Sequence, residues 1–136
     1  MARVLIVDDD EGIVTFLVDL LTAEGHEARG GHGELAWQLV ADWQPALILL
    51  DLMMPGLDGV AFNQRLQAEP RTRAIPVVAM SAAYNLREYR NRLSVQGVLS
   101  KPFDIGDLLA WVDRLTMPRP NDLTADHDQI GASGGG

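Results

Sequence analysis

The sequence contains no cysteine. That excludes disulfides and thiolate metal sites, and it fits a reducing compartment. Lysine is nearly missing too: the 11 basic residues are ten arginines and a single lysine, Lys101. The 19 acidic residues outweigh them and leave a net charge of -8, which argues against direct nucleic-acid binding through a basic face. No apolar run approaches the roughly 18 residues of a membrane span, and no signal-peptide pattern opens the chain. Neither a membrane protein nor an exported one is expected, and the cytoplasm is the expected location. With 136 residues and a hydrophobic fraction of 47%, there is material for one domain with a real core and too little for two ordinary ones.

What is present is a series of short aliphatic runs that end in polar residues. Leu47 to Leu50 runs straight into Asp51 and then a turn containing Pro55 and Gly56. A short run with no polar face predicts a strand covered on both sides, as in a parallel sheet. Arg3 to Val7 is a second such run, ending in Asp8, Asp9, Asp10 and Glu11. A helix follows, with Ile13, Phe16, Leu17, Leu20 and Leu21 as its buried stripe and Gly25 just past its end. His26 to Arg29 reads as a weak second strand. Gly30, Gly31 and Gly33 read as a flexible turn and lack the spacing of a dinucleotide loop. Leu35, Leu39 and Val40 suggest a second helix, closed before Pro45.

After a loop from Met53 to Gly59, Val60, Phe62 and Leu66 mark a third helix ending by Pro70. Pro76 to Met80 reads as strand four, running into Ser81. A polar fourth helix is expected from Tyr84 to Arg92, and a fifth strand from Gly97 to Ser100, followed by Lys101, Pro102 and Phe103. Asp104 is a good N-cap for a last helix whose stripe is Ile105, Leu108, Leu109, Val112 and Leu115. Residues 117–136, rich in Pro, Gly, Asp and Ser, have too little apolar content to repay the entropy of ordering, so a disordered tail is expected after a domain at 1–116. Five βα units predict a flavodoxin-like α/β fold. Its parallel five-stranded sheet would be doubly wound in the order 2-1-3-4-5, with five helices and the switch point between strands one and three.

That switch point would bring Asp8 and Asp9 to Asp51. Three carboxylates so close repel one another unless a cation joins them. An oxygen-only site with open positions suits Mg²⁺. Ser81 would add a hydroxyl and Lys101 a fixed positive charge. Around one carboxylate, these are the parts that stabilise a phosphoryl group in transfer, with the carboxylate itself as nucleophile. Singly, each has an ordinary explanation. The acidic run favours a helix start, Ser81 and Asp51 suit turns, and Lys101 suits a surface. All four falling at the ends of separate predicted strands is hard to assign to chance.

Val7-Asp8-Asp9-Asp10, Leu49 to Gly59, Met80-Ser81-Ala82 and Lys101-Pro102-Phe103 resemble the signature blocks of receiver domains of two-component response regulators, in the family's order, over about residues 3 to 116. The resemblance implies that Asp51 is the phosphoacceptor. It implies that Asp8 and Asp9 position Mg²⁺ with Asp51 and the backbone carbonyl of Met53. Ser81 would be the switch hydroxyl, Lys101 would pair with the phosphoryl group, and the Lys101–Pro102 peptide would be cis. A histidine kinase or phosphotransfer protein would be the donor. Output would pass through a protein target or self-dimer on the face of helix four, strand five and helix five, where Ser81, Val98, Trp111, Arg87, Arg90 and Arg92 are the candidate residues.

Two departures from the family pattern matter. Val98 stands where the family usually has Tyr or Phe, so no aromatic ring at that place can report the switch. Met53 and Ala83 occupy the positions that tune hydrolysis, and neither can orient a water, so slow loss of the phosphoryl group is expected. Three rivals follow from the same residues. An aspartate-nucleophile phosphohydrolase of the haloacid dehalogenase type would want an acid where Met53 stands. A receiver-like dimerisation scaffold that takes no phosphate would not need the full acid, hydroxyl and amine set. The Gly-rich end, Ser133 to Gly136, is compatible with the chain being the amino-terminal piece of a longer regulator.

Overall fold

The computed structural model describes residues 2–54, 57–82 and 94–116, apart from the side chains of Met53, Met54, Leu57, Asp58 and Ala82. The expected fourth helix, Ala83, Arg87, Arg90, Arg92 and the expected tail lie outside the described residues. Within them the order is β1 Arg3–Val7, α1 Glu11–Ala23, β2 Glu27–Gly31, α2 Gly33–Trp43, β3 Leu47–Asp51, β4 Met53–Met54, β5 Leu57–Asp58, α3 Gly59–Ala68, β6 Val77–Ala82, β7 Gly97–Lys101 and α4 Ile105–Thr116. β4 and β5 form a small antiparallel pair of their own, inside what was expected to be a plain loop. The other five strands make one parallel sheet in the order β2-β1-β3-β6-β7, which is the predicted 2-1-3-4-5. None of the described helices is long and apolar enough to cross a membrane.

Strand periodicity divides the core in two, because successive side chains point to opposite faces. Leu5, Val7, Ile48, Leu50, Val77 and Ala79 face α2 and α3, where they meet Ala36, Val40, Trp43, Phe62 and Leu66. Val4, Ile6, Leu47, Leu49, Val78 and Met80 face α1 and α4, where they meet Leu17, Leu21, Leu108 and Val112. β3 is buried along its whole length. Each buried leucine there contributes about 1.5–3 kcal/mol of transfer free energy. A run hydrophobic on both faces can therefore only be a central strand of a sandwiched sheet.

The helix stripes hold along their centre lines and fail at three flanking positions. Phe16, Leu35 and Ile105 were expected inside but are 46%, 55% and 42% exposed. Phe16 sits beside Leu17, one step around the helix from the buried line, while Leu35 and Ile105 lie in the first turns of α2 and α4. Leu35 lies against Gly31 of the edge strand, which offers no side chain to cover it. Strand two was expected at His26 to Arg29 and instead takes in Gly30 and Gly31, which pair with Ile6 and Val7. The ladder hydrogen bonds there outweigh the turn preference of glycine. Asp104 caps α4 as expected, its Oδ1 accepting from the Asp107 amide at 3.1 Å.

Candidate functional site

The acidic run after β1 divides its work by residue. Asp10 is the N-cap of α1, its Oδ1 accepting from the amides of Gly12 at 3.0 Å and Ile13 at 3.2 Å, a contribution of about 0.5–2 kcal/mol. Glu11 lies in the first turn, where negative charge suits the helix dipole. Asp8 turns inward instead. It is 1% exposed, and its Oδ1 accepts from the Asp10 amide at 3.0 Å. The helix-start explanation therefore fits Asp10 and Glu11, and the pocket explanation fits Asp8.

β1 and β3 are hydrogen-bonded neighbours, with Val7 beside Leu50. The next residue on each strand is an aspartate, so the register itself brings Asp8 to Asp51. Asp8, Asp9 and Asp51 each offer a carboxylate oxygen, and these atoms lie within 4.8 Å of one another. Asp51 is 4% exposed. The donor set is all oxygen, partly open at Asp9, and of the hard kind that suits Mg²⁺. The residues present therefore fit that ion.

Lys101, the last residue of β7, crosses to this group. Its Nζ donates to Asp8 Oδ2 at 2.8 Å and stands 3.5 Å from Asp51 Oδ1. Burial alone would lower its pKa, but the hydrogen bond and charge of Asp8, followed by those of Asp51, raise it above the ordinary lysine value. The ammonium is thus held charged. The Lys101–Pro102 peptide is cis. Ser81 lies in β6, whose Met80 pairs with Asp51 and whose Ala82 pairs with Lys101. It is 1% exposed, and its Oγ has no hydrogen-bond partner among the described residues. A buried hydroxyl so placed is costly unless something it can bond comes to it.

The structure therefore brings together Asp8, Asp9, Asp51 and Lys101, with Ser81 on the neighbouring strand end. Met53, two residues beyond Asp51, pairs with Asp58 in the small β4–β5 ladder. Val98 is half-buried and packs against the α2–α3 side of the core. Trp111, a candidate for the output face, is half-buried and packs with the α1–α4 core. Its ring covers Gly97, where an added Cβ would lie 2.6–2.7 Å from three ring atoms. The sequence alone missed this because glycine leaves no periodic signal for the side chain that covers it. A cavity of about 440 Å³ beside this contact is lined by Val98, Ser100, Phe103, Asp107, Trp111 and Arg114.

Sheet order and the acidic group at its switch point define the class, a flavodoxin-like α/β domain of the receiver type. The chain belongs to the response regulator receiver domain family, whose model matches residues 4–113. It is similar to the DNA-binding dual master transcriptional regulator RpaA of Synechocystis, at 35% identity over 123 residues that cover 85% of this chain and 49% of RpaA. It is also similar to protein PilH of Pseudomonas aeruginosa, at 31% identity over 119 residues covering 83% of this chain and 96% of PilH. Among solved structures, the receiver domain of Francisella response regulator 1452 superposes with a TM-score of 0.74 at 28% identity, covering 85% of this chain and 96% of that one. The chain thus spans about half the length of RpaA.

Proposed function

We propose that this receiver domain accepts a phosphoryl group on Asp51 from a phosphohistidine of a histidine kinase or phosphotransfer protein, and passes the signal on by protein–protein contact. The observation that carries this is the gathering of an acidic pair and a charged lysine, 3.5 Å away, around Asp51, with a buried hydroxyl, unpartnered among the described residues, one residue beyond Asp51's register partner on the next strand. An Asp51 oxygen bonds to phosphorus as the P–N bond of the donor breaks, and the imidazole leaves with the bonding pair. Asp8, Asp9, Asp51 and the Met53 carbonyl would hold Mg²⁺, which when bound would neutralise charge on the transferring oxygens. Lys101, shared at first with Asp8, turns its donors to the new phosphoryl oxygens, and Ser81 donates the bond it otherwise lacks. The added charge, near -2, draws both strand ends inward.

The chain acts as an acceptor and not as a turnover enzyme, and Met53 and Ala83 leave the phosphoryl group slow to hydrolyse. The phosphate-free scaffold is less well supported, because it gives no reason for an unsatisfied buried hydroxyl at the end of the strand that pairs with Asp51 and Lys101. The test is incubation with acetyl phosphate, with and without Mg²⁺, read by intact mass. The wild type is expected to gain one phosphoryl group only with Mg²⁺, and Asp51→Asn to gain none. Equal labelling of the two proteins would overturn the assignment, and so would the absence of any labelling.

A further inference from the structure

Asn63 is the one buried side-chain amide among the described residues that the acceptor chemistry leaves unused. It lies on α3 and is 1% exposed. Its Nδ2 donates to the Ser94 carbonyl at 3.1 Å, and its Oδ1 accepts from the Ser94 amide at 2.9 Å. The carboxamide thus does for Ser94 what a neighbouring strand would do, satisfying both backbone groups at once. Two residues on, Gln96 makes the reciprocal contact with β6. Its side-chain Oε1 accepts from the Val77 amide at 2.7 Å, and its backbone N–H donates to the Val77 carbonyl at 2.8 Å. The lead-in to β7, the strand that ends in Lys101, is therefore fixed by side-chain amides before the ladder begins.

The other end of the same helix face rests on the phosphoacceptor strand. Gly59 and Asn63 are four residues apart on α3, so they lie on one side of it. A Cβ at Gly59 would stand 2.5 Å from the Asp51 carbonyl oxygen and 2.6 Å from Leu52 Cα. Backbone-to-backbone contact this close leaves no side chain to absorb a shift. A displacement of the Asp51–Leu52 backbone must move the first turn of α3. One turn later, the helix holds Ser94 by two hydrogen bonds.

We infer that Asn63 is a positioning residue. It ties the lead-in of β7 to α3, so that a change at Asp51 reaches Ser94 through the helix as well as through Lys101. This rests on Asp51 being the acceptor, and the clasp itself can be judged without that premise. On this route the Asp51–Leu52 backbone would shift on phosphorylation, and α3, packed against it at Gly59, would carry the displacement as a rigid body.

The experiment is amide hydrogen exchange by NMR on the wild type, Asn63→Leu and Asn63→Asp, with and without Mg²⁺ and beryllofluoride. Leucine keeps the branched heavy-atom skeleton and removes both hydrogen bonds, whereas aspartate keeps the acceptor for the Ser94 amide. Without additive, Ser94 is expected to exchange roughly tenfold faster in Asn63→Leu, with aspartate restoring part of the protection. Equal Ser94 exchange in the wild type and Asn63→Leu would overturn the clasp. With Mg²⁺ and beryllofluoride, the wild type is expected to change at both Leu52 and Ser94, and Asn63→Leu to change at Leu52 with a clearly smaller response at Ser94, carried by Lys101 alone. A Ser94 response that is the same in both proteins would overturn the coupling. No response at Leu52 in the wild type marks failure of the acceptor premise and overturns the coupling with it; the clasp is then decided by the additive-free comparison.

Discussion

The Lys101 ammonium donates to Asp8 Oδ2 at 2.8 Å across 93 residues of chain, closer than its 3.5 Å approach to Asp51. The lysine is therefore chiefly the partner of Asp8, one of the three carboxylates that could hold a cation. On the proposed function, lysine and cation would be rivals for that carboxylate.

Replacing Lys101 with methionine separates these roles. Asp8, whose side chain is fully buried, loses its counter-charge. Stability in metal-free buffer is expected to fall by about 1–3 kcal/mol, read by urea unfolding. Mg²⁺ affinity is expected to rise, because no ammonium competes for the Asp8 oxygen. An unchanged or weaker Mg²⁺ titration in Lys101→Met would contradict the rivalry.

Ser81→Ala removes a hydroxyl that has no hydrogen-bond partner among the described residues. No bond is lost and a buried unsatisfied hydroxyl is removed, so the variant is expected to be at least as stable as the wild type, by up to about 1–3 kcal/mol. Phosphorylation by acetyl phosphate is expected to slow by about tenfold or more, since one donor to the transferring oxygens is gone. A large loss of stability with unchanged labelling would show that the hydroxyl serves the fold instead.

Asp9→Asn takes one charge from the acidic group while keeping its shape. The metal-free variant is expected to be at least as stable as the wild type, because carboxylate repulsion is relieved. In the wild type, Mg²⁺ at a hundredfold excess over its dissociation constant is expected to add about 2.7 kcal/mol. EDTA should reverse that gain, and Asp9→Asn should lose most of it. Thermal unfolding with and without Mg²⁺ checks all three outcomes.

Gly97→Ala puts a methyl group into the ring of Trp111. Overpacking of this kind costs about 1–3 kcal/mol. The cost is expected to shrink when Trp111→Leu is added, because the atoms it meets belong to one side chain. A double-mutant cycle by urea unfolding should therefore show non-additivity, and strict additivity would place the strain elsewhere.

The strands were legible in the sequence because burial on both faces leaves no choice of residue. Val4 to Val7, Leu47 to Leu50 and Val77 to Met80 are apolar without a break, and only the middle of a covered parallel sheet accepts that pattern. Their spacing between helical stretches then fixed the crossover order. The polar residue ending each run was legible for the same reason, since a lone acid, hydroxyl or amine at the close of an apolar run stands out. The flanks of the helix stripes were less legible. Phe16, Leu35 and Ile105 satisfy the periodicity yet remain 42–55% exposed, because periodicity gives direction and not what lies opposite.

By itself the sequence determined which groups would gather at the carboxyl ends of the strands, since register follows from the apolar pattern. Only the tertiary structure decided how those groups pair. That Lys101 takes Asp8 before Asp51, that Asn63 holds Ser94, and that Trp111 lies over Gly97 are contacts between segments far apart in the chain. Each depends on distances of a few tenths of an ångström, which are set by how helices pack on the sheet, and no local pattern of residues encodes them.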